Sequence, residues 1–252
     1  MSAAIRCLVI AVAALALAPA GARAQPPIVR PPESGALPAQ QLGRELFAGN
    51  CATCHGSRGD GVASRGPALR GVGRRAPDFY LRTGYMPLGD PHDQPERSRL
   101  QFREREIRAL IDYVDSLGGG PSVPEPHPER GSVADGLQLF TEHCAGCHQV
   151  VAEGGVVTGA RVPPLDQATP VQIAEAVRLG PYVMPRFSER AISDPELDSI
   201  VAYVRYAQDP DDRGGWGISH LGPFPEGMVT WLIAGTLLVA TCVLIGERLR
   251  RS

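Results

Sequence analysis

Two pentapeptides decide how this chain is read: Cys51-Ala52-Thr53-Cys54-His55 and Cys144-Ala145-Gly146-Cys147-His148. Each sets two thiols three positions apart and puts a histidine directly after the second. At a helix start, that spacing lets both thiols reach the two vinyl groups of one porphyrin and form thioethers, and the adjacent imidazole meets the iron. A redox-active C-x-x-C has no need of the histidine. A zinc site gathers four ligands in one place, whereas the two motifs stand 93 residues apart. Of the six cysteines, Cys7 lies in an N-terminal apolar stretch and Cys242 in a C-terminal one, so none is left to form a disulfide. The sequence therefore predicts two covalently bound haem c groups, attached at Cys51, Cys54, Cys144 and Cys147, with His55 and His148 as iron ligands.

The sixth iron position separates electron transfer from an open catalytic haem. Methionine is the favoured distal ligand in this setting, because its soft thioether stabilises ferrous iron and raises the potential. Apart from Met1 and Met228, only two methionines exist for two haems: Met86 in Gly84-Tyr85-Met86-Pro87 and Met184 in Tyr182-Val183-Met184-Pro185. Each follows its histidine by thirty-odd residues and stands just before a proline, where a restricted backbone can hold the sulfur at the iron. Both are expected as metal ligands, against the ordinary role of a methionine as core filler. The rivals are His92, His127, His143 and His220; His143 directly precedes Cys144 and points away from its own haem, and His127 sits in a proline-rich stretch.

An internal repeat turns the motifs into an architecture. Gly43, Leu46, Phe47 and Cys51 recur 93 positions later as Gly136, Leu139, Phe140 and Cys144. Ile107, Leu110, Ile111, Tyr113 and Val114 recur 90 positions later as Leu197, Ile200, Val201, Tyr203 and Val204. In each copy an amphipathic helix leads into the motif, a long loop carries the methionine and a second amphipathic helix closes the domain. Phe47 with Tyr113, and Phe140 with Tyr203, are the expected crossing pairs. Ser193 or Asp194, followed by Pro195 and Glu196, starts the last of these helices. Thr169-Pro170-Val171-Gln172 reads as a capping box opening an extra helix before Met184. Strand signals are essentially absent, so the fold class is all-α: two tandem class I cytochrome c domains, residues 25–120 and 135–212. Residues 121–134, with the run from Gly118-Gly119-Gly120-Pro121 to Pro128, form the linker.

The chain ends carry addresses. Arg6, the apolar run Cys7 to Ala18 and the small-x-small Ala22-Arg23-Ala24 describe a signal peptide over residues 1–24, cleaved before Gln25; retention as a membrane helix is the alternative. Met228 to Gly246 holds no charge and is long enough to span a bilayer. Arg248, Arg250 and Arg251 follow it, so the positive-inside rule places residues 247–252 in the cytoplasm and the haem domains outside the cell membrane. Residues 213–227 form a pre-membrane segment. All 25 basic residues are arginine, and a net charge of −2 leaves no footprint for nucleic acid. Residues 25–120 hold 13 arginines against 11 acids and residues 121–220 hold 7 against 14, so the second domain is the acidic one and is suited to steer towards a basic acceptor. Arg70, Arg74, Arg75 and Arg82 are candidates to meet the haem propionates.

Two mono-haem domains in tandem, then Gly214-Gly215-Trp216-Gly217, Gly222-Pro223-Phe224-Pro225-Glu226-Gly227 and one C-terminal span, resemble the dihaem cytochrome c subunit of actinobacterial-type cytochrome bc1 complexes. The resemblance covers nearly the whole mature chain and includes Gly66-Pro67-Ala68-Leu69, Gly71-Val72-Gly73 and Gly180-Pro181. It departs at Leu244-Ile245-Gly246, where the family has Trp-Ile-Gly, which concerns anchoring. The resemblance implies that Pro67, and Pro163 or its neighbour Pro164, offer carbonyls to His55 and His148. It implies partners, a cytochrome b subunit and a Rieske iron–sulfur subunit, with electrons passing from quinol through these to the chain and on to a terminal cytochrome c oxidase. The activity would be that of the assembled quinol–cytochrome c reductase, with no bond chemistry in the chain itself. The alternatives are the dihaem subunit of a haem–copper oxidase and a membrane-anchored dihaem oxidoreductase or peroxidase.

Overall fold

The structure, a computed structural model, describes residues 26–210 and 223–251. The expected signal peptide and its cleavage point, His220 and residues 213–222 of the pre-membrane segment lie outside the described residues. The chain divides into two compact units. One comprises the chain up to Glu125 together with Val171–Ser188; the other comprises Pro126–Pro170 and the chain from Glu189 onward.

In the first unit, α1 (Ala39–Asn50) and α4 (Glu104–Ser116) flank the attachment turn α2 (Ala52–His55) and the short α3 (Arg75–Arg82). Leu42, Leu46 and Phe47 make one apolar stripe on α1, and Ile107, Leu110, Ile111 and Val114 make the matching stripe on α4. These residues are almost wholly buried against each other, each contributing roughly 1.5–3 kcal/mol of burial. The helices cross where Gly43 meets the Ala109 carbonyl; a Cβ there would overlap it, so only glycine lets the backbones close. The expected pair of rings is present, Phe47 and Tyr113 standing 5.0 Å apart at 49°.

Polar contacts pin the chain before α1 onto this unit. Asn50 accepts from the Val29 N–H at 2.7 Å and donates to the Val29 carbonyl at 2.9 Å. Arg30 Nε donates to Glu106 at 2.8 Å, and Glu106 also accepts the Arg103 N–H at 2.8 Å, closing the start of α4. The glycine run expected to begin a linker is tied back as well. The Gly73 N–H donates to Gly119 O at 2.8 Å and the Arg74 N–H to Pro121 O at 3.1 Å.

The extra helix expected before Met184 is α7 (Pro170–Leu179), and from Val171 it belongs to the first unit. Its Gln172 accepts from Arg97 at 2.8 Å and donates to the Arg82 carbonyl at 3.2 Å.

The second unit repeats the crossing with α5 (Val133–His143), the attachment turn α6 (Ala145–His148) and α8 (Asp194–Gln208). Gly136 meets the Ser199 carbonyl as Gly43 meets Ala109, and Phe140 stands 5.3 Å from Tyr203 at 53°. Ser132 caps α5 by accepting the Asp135 N–H at 3.2 Å. At α8 the cap is Ser193, whose N–H donates to Glu196 at 2.7 Å.

The expected all-α class holds roughly, with one small sheet added. The protein is mostly helical, yet β1 (Gly155–Val157) and β2 (Ala160–Val162) pair antiparallel, with Val157 opposite Ala160. The strands are three residues each and the turn is Thr158-Gly159, with Gly159 at φ 85°. Runs that short show no alternation over the four to eight residues on which strand patterns are read.

Helix α9 (Pro223–Arg251) contains the expected span. Its apolar stretch, Gly227–Arg250, is 24 residues long with none of its apolar window buried, roughly 36 Å at 1.5 Å per residue.

Candidate haem-attachment sites

Each motif sits on a single helical turn entered through its first cysteine. Cys51 and Cys144 have nearly the same backbone, φ −120°, ψ −32° and φ −122°, ψ −36°. Each donates its N–H at 2.8 Å to the carbonyl of the phenylalanine four residues before it, Phe47 and Phe140. The histidine N–H then returns to the first cysteine's carbonyl at 2.9 Å in both copies. Two thiols and one imidazole are thereby fixed on one turn, which is the local geometry that attachment to one porphyrin requires. The chain leaves each turn through a left-handed residue, Gly56 at φ 79° and Gln149 at φ 60°.

Both imidazoles are oriented by proline carbonyls. His55 Nδ1 lies 2.8 Å from Pro67 O, and His148 Nδ1 lies 3.2 Å from Pro163 O. Of the two adjacent prolines in the second unit, it is Pro163 that faces the ring. A carbonyl can only accept, so Nδ1 carries the hydrogen and Nε2 is left with its lone pair for a metal. Gly66 lets the first loop close on the turn: a Cβ there would stand 2.8 Å from Cys54 O and 3.2 Å from His55 Cε1.

The surroundings favour neutral groups. Burial, with the Cys54 charge adding to it, pushes the Cys51 thiol up to about 12; burial, reinforced by Cys147, pushes Cys144 up to about 11. Burial also lowers His148, against the opposing bond to Pro163. A thioether and a neutral imidazole carry no charge to desolvate. Cys51, Cys54, Cys144 and Cys147 are all free, and none is paired in a disulfide. The residues present therefore fit a covalently held haem at each turn.

Met86 is partly buried against the core of the first unit, and its N–H donates to Tyr80 O at 3.1 Å. Its peptide bond to Pro87 is cis. Met184 is half-buried, and its N–H donates to Pro181 O at 3.0 Å. Gly180, at φ 65°, lets that loop fold tightly, since a Cβ there would stand 2.8 Å from Met184 O. Met184 lies in the segment grouped with the first unit, and His148 lies in the second. Among the rival histidines, His127 bonds Asp198 through its N–H at 2.6 Å and Glu129 through Nδ1 at 3.1 Å. His92 and His143 are exposed.

The four candidate arginines are engaged: Arg70 with Asp60 at 2.6 Å, Arg74 with Asp112 at 2.7 Å, Arg82 with Glu104 at 2.6 Å and Arg75 with Ser122 O at 3.0 Å. Gly66 was noted in the sequence only as part of Gly66-Pro67-Ala68-Leu69, without its close approach to the turn, and Gln149 was passed over. Glycine directly before the proline of the first loop, and the residue directly after each motif histidine, were the available signals.

Comparison with known proteins agrees with this geometry. Residues 40–118 match the family model for cytochrome c, and residues 131–204 match that for cytochrome c oxidase, cbb3-type, subunit III. The cytochrome bc1 complex cytochrome c subunit of Corynebacterium diphtheriae is 37% identical over 82% of this chain and 80% of its own. That of Mycobacterium tuberculosis is 36% identical over 82% of this chain and 78% of its own. A cbb3-type cytochrome c oxidase subunit of an Azospirillum species is more distant, 31% identical over 64% of this chain and 60% of its own.

Proposed function

The chain belongs to the family of cytochrome bc1 complex cytochrome c subunits, and from that premise we propose that it binds two haem c groups and relays electrons through them within a quinol–cytochrome c reductase. The observation that carries this reading is the duplicated turn, with two thiols, a proline-oriented histidine and a bracing helix pair in each unit. Cys51 and Cys54 hold the first haem and Cys144 and Cys147 the second. His55 with Met86, and His148 with Met184, ligate the irons. Pro67 and Pro163 fix the imidazole rings. Such a haem supplies one-electron exchange between ferric and ferrous iron. The protein supplies attachment, orientation and burial, and the methionine sulfurs set both irons towards the ferrous state.

Helix α9 anchors the chain in a membrane. By the arginines of its last turns, Arg248, Arg250 and Arg251, the haem units lie on the extracytoplasmic side and the C-terminus in the cytoplasm. A cytochrome b subunit and a Rieske iron–sulfur protein are the partners upstream, and a terminal cytochrome c oxidase is the acceptor downstream. Affinity purification of the tagged chain from membranes tests this. Cytochrome b and Rieske subunits co-isolate if the reading holds. A haem–copper oxidase core co-isolating without them overturns it in favour of the oxidase-subunit role that the match over residues 131–204 favours.

A further inference from the structure

Away from the attachment turns, one of the buried carboxyl groups among the described residues lacks any donor to hold its charge. Glu175 on α7 is 0% exposed, and no N–H or hydroxyl group donates to either of its carboxyl oxygens, which leaves the Asp78 carboxyl as the group it can share a hydrogen with. Beside it lies Asp78 on α3, itself 9% exposed. Arg82 and Arg75, also on α3, are the cations whose charge reaches it. Arg82 is already committed, with Nε 3.0 Å from Asp78 and two guanidinium nitrogens 2.6 and 2.9 Å from Glu104. On α7 itself Arg178 is 5% exposed and donates to Phe187 O at 3.5 Å; from the loop before α4, Arg97 binds Gln172. A second carboxylate next to Asp78, out of water, would be expensive unless one of the pair keeps a proton. Burial first, and then the Asp78 charge, pushes Glu175 up to about 9, so the proton stays on Glu175 at neutral pH.

We propose that Glu175 is a positioning residue acting as a protonated latch: as a neutral acid it shares its hydrogen with the Asp78 carboxylate and fastens α7, with the Met184 segment that follows, onto α3. Gln172 secures one turn of the same helix through Arg97 and the Arg82 carbonyl. Glu175 adds the part that responds to pH. When α7 lifts, Glu175 meets water and returns to an ordinary carboxyl value of 4.5, releasing its proton. The latch is therefore strongest below that value and weakens as pH rises to about 9, where the closed form ionises as well. Within this window the opening constant rises about tenfold per pH unit.

The redox consequence rests on Met184 being a haem ligand; the latch itself does not. Hydrogen exchange of the α7 amides is measured in the purified holoprotein between about pH 5 and 9, with wild type and Glu175→Gln compared at each pH so that intrinsic exchange cancels. The carboxamide donates to Asp78 without titrating. The opening of wild type relative to Glu175→Gln should rise about tenfold per pH unit and level off near the top of the range; a flat ratio overturns the proposal. Should Glu175→Gln fail to accumulate as holoprotein, Asp78→Asn serves, because removing the like charge moves the levelling point to lower pH; an unmoved point overturns the pairing. Near-infrared sulfur-to-iron bands are recorded on the same samples. A Met184→Ala variant whose sulfur-to-iron absorbance equals that of wild type removes Met184 as a ligand and leaves the exchange result standing, whereas a variant that loses part of that absorbance, with a flat ratio in wild type, removes the latch and keeps the ligation.

Discussion

At the exit of the first attachment turn stands Gly56, and at the exit of the second stands Gln149, both with left-handed φ and extended ψ, 150° and 162°. Glycine occupies that region without strain. A glutamine there costs on the order of 1–3 kcal/mol, and its side chain offsets part of this by donating to Gly154 O at 2.6 Å. The same backbone path is thus specified twice by different means. What surrounds the turns differs further. The first unit adds α3 and a pinned N-terminal segment, while the second adds a small hairpin. The shared features are those that attachment needs; the differences lie in how each unit is stabilised.

The largest effect that can test the comparison is loss of one haem at a time. Replacing Cys51 and Cys54 by serine, or Cys144 and Cys147, should each leave a chain carrying a single haem, read from its visible spectrum against protein content. Loss of both haems from either variant would show that the units are not independent. Next come the helix crossings. Gly43→Ala and Gly136→Ala each push a Cβ into a carbonyl and should destabilise their own unit by about 1–3 kcal/mol or more, measured as denaturant midpoints.

The first unit alone carries the Arg30 to Glu106 pair. Burial pushes Glu106 up, but the Arg30 guanidinium and the Arg103 N–H outweigh it, so its carboxyl titrates below the ordinary 4.5. Its contribution is present above that value and disappears as pH falls through the lowered one. Glu106→Gln should cost the first unit about 1–3 kcal/mol at neutral pH and progressively less in acid, while the second unit keeps its midpoint. The smallest expected effect is at the second exit, where Gln149→Gly should stabilise by about 1 kcal/mol.

The sequence carried much of this in its repeats. Equal spacing of Gly43, Phe47 and Cys51 with Gly136, Phe140 and Cys144 placed the leading helices and both turns, and the recurrence of Ile107 to Val114 as Leu197 to Val204 placed the closing helices that cross at the two glycines. Ser193 and Glu196 announced their helix by local chemistry. The hairpin was hidden because three-residue strands bounded by glycines leave no periodicity. Helix α3 was hidden because Arg74, the residue before its first turn, supplies no side-chain cap. The meeting of Glu175 with Asp78 had no signature at all, since it depends on where α7 docks, and tertiary packing decides that.

Everything depends on two haems being bound to one chain by thioethers. Intact-protein mass of the chain purified from membranes and denatured measures this directly. The expected mass exceeds that of the mature polypeptide by two haems, which survive acid–acetone extraction. A mass with one haem or none would contradict it.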